Sequence, residues 1–161
     1  FLKTAPFDSV EALSVAVEGS GNVYTAGRFL GPTDFDPGAG TATLTGGPYS
    51  GNHSAFLSKL DSSGNYVWAK QVGTPTGSQT GRQVALDGSG NVYFSGDLNY
   101  ETVDLDPGDG VVNFTSKEMF LVKLDSSGNL AAGASAGVTV SKTTATTIPD
   151  RAESVMIFTY I

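Results

Sequence analysis

Nearly the same word occurs twice in this chain of 161 residues: EGSGNVYTAGR from Glu18 to Arg28, and DGSGNVYFSGD from Asp87 to Asp97. Val15 to Tyr24 falls on Val84 to Tyr93, a displacement of 69 positions. Further on, TDFDPGAG (Thr33 to Gly40) matches VDLDPGDG (Val103 to Gly110), and AFLSKLDSSGN (Ala55 to Asn65) matches MFLVKLDSSGN (Met119 to Asn129). Three matched blocks in one order make an internal repeat. Each copy is one structural unit whose apolar face must be buried against a neighbour.

Within a unit the words read as strand, turn, strand: Ser14–Val17 and Val23–Gly27, then Phe56–Leu60 and Tyr66–Val72. The turns EGSGN, DGSGN and DSSGN supply Gly and Asn for positive φ, with an acidic or hydroxyl side chain to bond the turn's own backbone. Consecutive hairpins give an antiparallel meander of four strands. A helix over Ser9 to Glu18 is the competing reading, since Asp8 and Glu11 resemble a capping box. The repeat argues against it from Ala12 onward, because the matching segment runs straight into a hairpin turn. The connections Leu30–Ser54 and Leu98–Glu118 are long for loops, and each has the alternation and Pro-Gly punctuation of a small extra hairpin. The expected core is Val15, Val17, Val23, Tyr24, Phe56, Leu57 and Leu60 with their partners Val84, Leu86, Val92, Tyr93, Phe120, Leu121 and Leu124.

Composition agrees with an all-β chain: charged residues are 16% and apolar ones 39%, while Gly, Ser and Thr abound in the turns. The net charge of −7, with nine scattered Lys and Arg, excludes a nucleic-acid partner, which would need clustered cations. With no cysteine there is no disulfide, thiolate metal site or thiol nucleophile. No apolar run approaches the roughly 18 residues of a transmembrane segment. A first residue of Phe rather than Met points to a segment removed upstream.

The motifs GNVYTAG, DFDPG and FLSKLDSSGNYVWAK, with their second copies, resemble the bacterial β-propeller repeat family named for its seven-bladed members. The resemblance runs from about residue 1 to Asn129. It implies propeller blades in secreted or surface-attached bacterial proteins, in longer arrays and seldom with a known activity. It implies no catalytic residue to carry over.

Four sets of residues carry candidate chemistry. GASAG (Gly133 to Gly137) spells a hydrolase nucleophile elbow around Ser135, but that motif needs a strand before it, a helix after it and a following base, whereas the only histidine, His53, lies upstream. A small-residue linker is the preferred reading. Asp34 and Asp36, with Asp104, Asp106 and Asp109, begin an oxygen shell for calcium at the DPG turns. The competing reading has the first Asp of each pair bonding loop backbone while Pro37 or Pro107 shapes the turn. Asn52 and Asn113 open glycosylation triplets, NHS and NFT. Trp68 and Tyr66, with Tyr24 and Tyr93, are candidates for stacking on a carbohydrate, though such aromatics more often fill the gap between packed sheets.

From Leu130 the repeat fails, and LAAGASAG stands where a fourth strand is due. GVTVS alternates again, and VMIFTYI (Val155 to Ile161) reads as a terminal strand, with a helix opened by Asp150 as the weaker alternative. The chain therefore divides into an orphan fourth strand (1–5), a first blade (6–73), a second blade lacking its fourth strand (74–130) and a tail (131–161). Phe1, Leu2, Lys3, Thr4 and Ala5 precede the first unit much as VWAKQV precedes the second, so the chain has a spare strand at one end and a vacancy at the other. The expectation is a non-catalytic extracellular or cell-surface protein with a structural, assembly or adhesion role. Its copies would join head-to-tail by strand complementation, with Val155, Ile157, Phe158 and Tyr160 covering the junction. The alternative is a carbohydrate- or calcium-binding domain of a longer secreted protein.

Overall fold

The computed structural model describes residues 3–4, 9–49, 51–74, 76–99, 101–116 and 119–131. They form twelve strands: β1 (Lys3–Thr4), β2 (Val10–Val17), β3 (Val23–Phe29), β4 (Pro32–Asp34), β5 (Thr43–Thr45), β6 (Ser54–Leu60), β7 (Tyr66–Val72), β8 (Thr80–Leu86), β9 (Val92–Asp97), β10 (Glu101–Asp104), β11 (Asn113–Ser116) and β12 (Met119–Leu124). The fold is all-β, and the described residues contain no helix, hence none long and apolar enough to cross a membrane. The segment that competed as a helix, Ser9 to Glu18, is strand from Val10 to Val17.

The first repeat builds a four-stranded sheet in the order β2-β3-β6-β7, and the second a three-stranded sheet in the order β12-β9-β8. All strand pairs are antiparallel, and neither sheet closes on itself. The long connections each contain the expected hairpin, β4 with β5 and β10 with β11. The two repeats agree down to their irregularities. A bulge interrupts β2 between Ala12 and Ser14 and β8 between Gly81 and Gln83, again 69 positions apart. Opposite the bulges lie Gly27 and Gly96, where a Cβ would run into the carbonyls of Glu11 and Thr80. Only glycine lets the bulged backbone come so close.

Register assigns every side chain to a face, because residues directly opposite each other share one. On the forward face of the first sheet lie Ala16, Tyr24 and Ala26, then Ala55, Leu57 and Lys59, then Trp68 and Val72. Against it packs the rear face of the second sheet: Val84, Val92, Phe94, Phe120, Val122 and Leu124. Leu98, Val103 and Leu105 join the same cluster. A smaller cluster of Phe29, Phe35 and Phe56 sits behind the first sheet, where Val10, Leu44 and Tyr66 close around it.

Two expectations about packing need correction. Val15 and Val17 are 64% and 63% exposed, whereas Val84, the equivalent of Val15, is 7% exposed and Leu86, the equivalent of Val17, is half-buried. The chemistry is the same, but Val84 has the first sheet in front of it, and no described residue takes that place before Val15. Tyr93 and Leu121 are half-buried for the converse reason: they stand on the forward face of the second sheet, where Tyr24 and Leu57 on the first are covered.

The ends also differ from expectation. Lys3–Thr4, part of the segment read as an orphan fourth strand, pairs within its own chain against β4, Lys3 opposite Asp34 and Thr4 opposite Thr33. The exposed edge of a short hairpin offers main-chain partners close by, and two residues suffice to use them. The second repeat does begin a fourth strand. Leu130 bridges Leu124 as Tyr66 pairs Leu60, and the Ala131 amide donates to the Lys123 carbonyl at 3.0 Å. The remaining tail expectations, Ser135, the GVTVS strand and Val155, Ile157, Phe158 and Tyr160, lie outside the described residues, as do Phe1, Leu2 and Ala5.

Because Leu57 and Phe120 are fully buried between the sheets, Leu57→Ala and Phe120→Ala are each expected to cost about 2–5 kcal/mol. Val15→Ala should cost less than about 0.5 kcal/mol. Urea denaturation of the three variants checks the order, and an equal loss at Val15 would contradict the face assignment.

Candidate functional site

The DPG loops repeat one hydrogen-bond pattern. Asp34 Oδ1 accepts from the amides of Asp36 at 3.0 Å and Ala42 at 2.8 Å, and Asp104 Oδ1 from those of Asp106 at 3.0 Å and Val112 at 2.8 Å. Asp36 and Asp106 then each accept from the glycine after the proline, at 2.7 Å and 2.8 Å. These are Asx turns, and they orient the first two carboxylates of each loop onto the loop's own N–H groups. A calcium ion would have to compete with those donors for the same oxygens. Asp109 is exposed, and among the described residues no three acidic or histidine side chains converge to hold a metal. The loops are thus built by their aspartates.

Of the glycosylation triplets, Asn52 donates from its side-chain nitrogen to the Thr76 carbonyl at 2.7 Å, tying the two repeats together, while Asn113 is exposed on β11. Tyr24, Trp68, Tyr66 and Tyr93 do not form one platform. Tyr24 and Trp68 meet edge to face at 5.9 Å in the core between the sheets, and Tyr66 packs behind the first sheet.

What the repeats bring together most clearly is a junction. Lys59, on the forward face, lies 4.9 Å over the Tyr24 ring and 3.9 Å from Glu18, and donates to the Ser126 carbonyl at 3.3 Å. Trp68 Nε1 donates to that same carbonyl at 3.2 Å, and Lys70 Nζ reaches Asn129 Oδ1 at 3.4 Å. Gly128 lies flat on the indole, where an added Cβ would stand 3.1 Å from the ring. The turn Asp125–Asn129 of the second repeat is therefore seated on an aromatic and cationic receptor of the first. The sequence gives two signs of it, the repeated KLDSSGN word and the acidic residue opening each turn, but Lys59 and Ser126 are legible as partners only once the sheets are stacked.

The second repeat repeats the lysine, tyrosine and acid of this receptor, without the tryptophan, since Ala132 stands at the sequence position of Trp68. Lys123 lies 5.4 Å over the Tyr93 ring and 3.9 Å from Asp87, and the Tyr93 hydroxyl donates to Asp87 at 3.4 Å. Its Lys side chain is 31% exposed against 10% for Lys59. Conversely the turn Asp61–Asn65 of the first repeat has the same internal bonds as Asp125–Asn129, with the amides of Ser63 and Asn65 on Asp61 Oδ1. Its Gly64 is exposed where Gly128 is buried. An open groove beside it is lined by Asp36, Pro37, Gly38, Asn65 and Tyr66.

Compared with protein-family models, with characterised proteins and with solved structures, the chain matches none.

The turn acids and His53 set the acid response. Asn65's side-chain amide, then its backbone, holds the Asp61 carboxyl below its ordinary 3.8, and Asn91 does the same for Asp87. Burial, then the positive charge of Arg28, holds the His53 imidazole below its ordinary 6.5. All three groups bind protons more readily in the unfolded chain. Stability is thus expected to fall with pH in two stages, first below 6.5 as His53 titrates and again below 3.8 as the turn acids do. Urea midpoints measured against pH test this: His53→Gln should flatten the first stage and Asp87→Asn the second. Midpoints that stay constant on acidification would contradict it.

Proposed function

We propose that the chain is a non-catalytic β-propeller repeat protein with a structural, assembly or adhesion role outside the cell, and that its copies join head-to-tail by strand complementation. The two repeats are then consecutive blades, as the sequence resemblance implies, and the extracellular setting rests on that resemblance.

The observation that carries the reading is the difference at the outer edges. In the first repeat β6 is followed across the sheet by the seven residues of β7, whereas among the described residues β12 has only Leu130 and Ala131 beside it. Among the described residues no strand lies beside β12 toward Met119, and in this reading that edge accepts one by β-augmentation. The donor in this reading is Phe1–Ala5 of another copy. The described part of that segment, Lys3–Thr4, pairs with β4 over two residue pairs, which a longer pairing would displace. Such a contact joins different surfaces of identical chains, so it continues until a ring closes or a filament grows. Carbohydrate or calcium binding at the DPG loops is the weaker reading, because Asp34 and Asp104 already serve their own loops.

Removing residues 1–5 tests the proposal. Light scattering over a concentration series should show a large species in the full chain that is lost from the truncated one. Identical mass distributions in the two would overturn strand complementation.

A further inference from the structure

We infer that His53 is an acid-sensitive latch on the connection between the two repeats. With a neutral imidazole it holds the connection in place, and with a protonated one it lets the connection go.

The chain passes from β7 to β8 through residues 73–79, and two residues just before β6 hold that passage. The Gln79 amide donates to the His53 carbonyl at 2.7 Å, and the side-chain nitrogen of Asn52 donates to the Thr76 carbonyl at 2.7 Å. Gln79 is fully buried. Turned so that both its ends are satisfied, its side-chain nitrogen donates to the same His53 carbonyl at 3.2 Å, and its oxygen accepts from the Ser78 amide at 3.3 Å. Gly73, at φ 117°, makes room for this side chain, which a Cβ there would overlap. The backbone of His53 thus takes two bonds from one buried residue of the connection, and any movement of it is felt there.

The imidazole makes the hold sensitive to acid. Its Nδ1 is shut off from water and has no hydrogen-bond partner among the described residues. A neutral ring with its proton on Nε2 tolerates this, because Nδ1 is then a bare lone pair. A protonated ring has hydrogen on both nitrogens, and a buried N–H without an acceptor bears the full loss of its hydration. The charged groups that act on the ring are Arg28 on β3, which opposes protonation, and Glu11 on β2, which favours it. They are paired with each other at 2.6 Å, so Arg28 already engages the Glu11 carboxylate. On β8 Arg82 is paired with Asp97, and residues 73–80 contain no charged side chain. The protonated ring finds an acceptor only by swinging out toward water, and that motion drags the carbonyl that Gln79 holds. Burial, then Arg28, keeps the latched imidazole below its ordinary 6.5, so the open form binds the proton more readily. The latch is therefore at full strength above 6.5 and weakens as pH falls below it, by at most about tenfold in its closing equilibrium per pH unit. The cluster between the sheets contains no acid or histidine, so the sheets stay packed while the connection opens.

His53 is the only histidine of the chain, so its imidazole signal can be followed by NMR without ambiguity. In the full chain titrated from about pH 8 to about pH 5, the amide signals of Thr76, Gly77 and Gln79 should shift with the midpoint of the imidazole. The Gln79 amide should exchange its hydrogen faster than the Leu57 amide of the sheet, and its protection, corrected for the intrinsic effect of pH, should fall on acidification. His53→Gln should remove the acid response of these three amides. Arg28→Gln, which takes away the positive charge beside the ring, should move the midpoint up toward 6.5, and it tests the same claim if His53→Gln does not fold. An imidazole that titrates while the three amides stay still would overturn the latch. So would a Gln79 amide that exchanges at the rate of Leu57 at every pH, because the connection would then open only with the whole sheet, and so would an acid response that persists in His53→Gln.

Discussion

Everything in this molecule depends on one face of a β-sheet being pressed against the opposite face of its own repeat. Tyr24, Leu57 and Trp68 on the first sheet and Phe94, Phe120 and Leu124 on the second form a single buried cluster. Neither sheet could bury these side chains alone, and an isolated three- or four-stranded sheet has two wet faces. The contact is directional: forward face on rear face. A directional contact between two equivalent units necessarily leaves a rear face at one end and a forward face at the other. That is why Val15 and Val17 lie in water although the same residue type at Val84 is buried.

The local structure is arranged to keep the faces in register. A bulge at the same point in each repeat shifts the alternation so that Ala16, after the bulge, faces the partner sheet, and Ser14 Oγ accepts the Val84 amide at 3.2 Å across the junction. The paired glycines opposite the bulges permit the close approach that the shift requires. Turn acids fix the hairpins, and the DPG aspartates fold the long connections back over the sheet so that Phe35 and Leu105 are buried. Each device is cheap, being one or two hydrogen bonds, and each is copied.

The sequence carried the strand words, their hairpin turns and the extra DPG hairpins, because period-two alternation and Gly-Asn turns are local signals. The reading of the first Asp in each DPG pair as a backbone ligand was legible for the same reason, as a side chain can bond its own loop whatever surrounds it. Burial was not legible. Val15 and Val84 stand in almost the same words, and only the presence of a neighbouring sheet separates them. The pairing of Lys3–Thr4 with β4 also escaped, since two residues carry no periodicity and their partner is thirty positions away in the chain. The junction of Lys59 and Trp68 with Ser126 is a contact between distant words and becomes visible only when the sheets are stacked.

In the interior of the chain the two repeats meet forward face on rear face, with the Asp125–Asn129 turn seated on Lys59 and Trp68. The two repeats are expected to unfold as one cooperative unit joined through Trp68, which is the sole tryptophan of the chain and is covered by the Ser126–Gly128 turn. Its fluorescence reports the junction directly. On urea titration the tryptophan emission and the far-ultraviolet circular dichroism of the strands should change together in a single transition. A tryptophan that becomes exposed at lower urea than that at which the strands melt would show the sheets parting before they unfold, and would contradict the account.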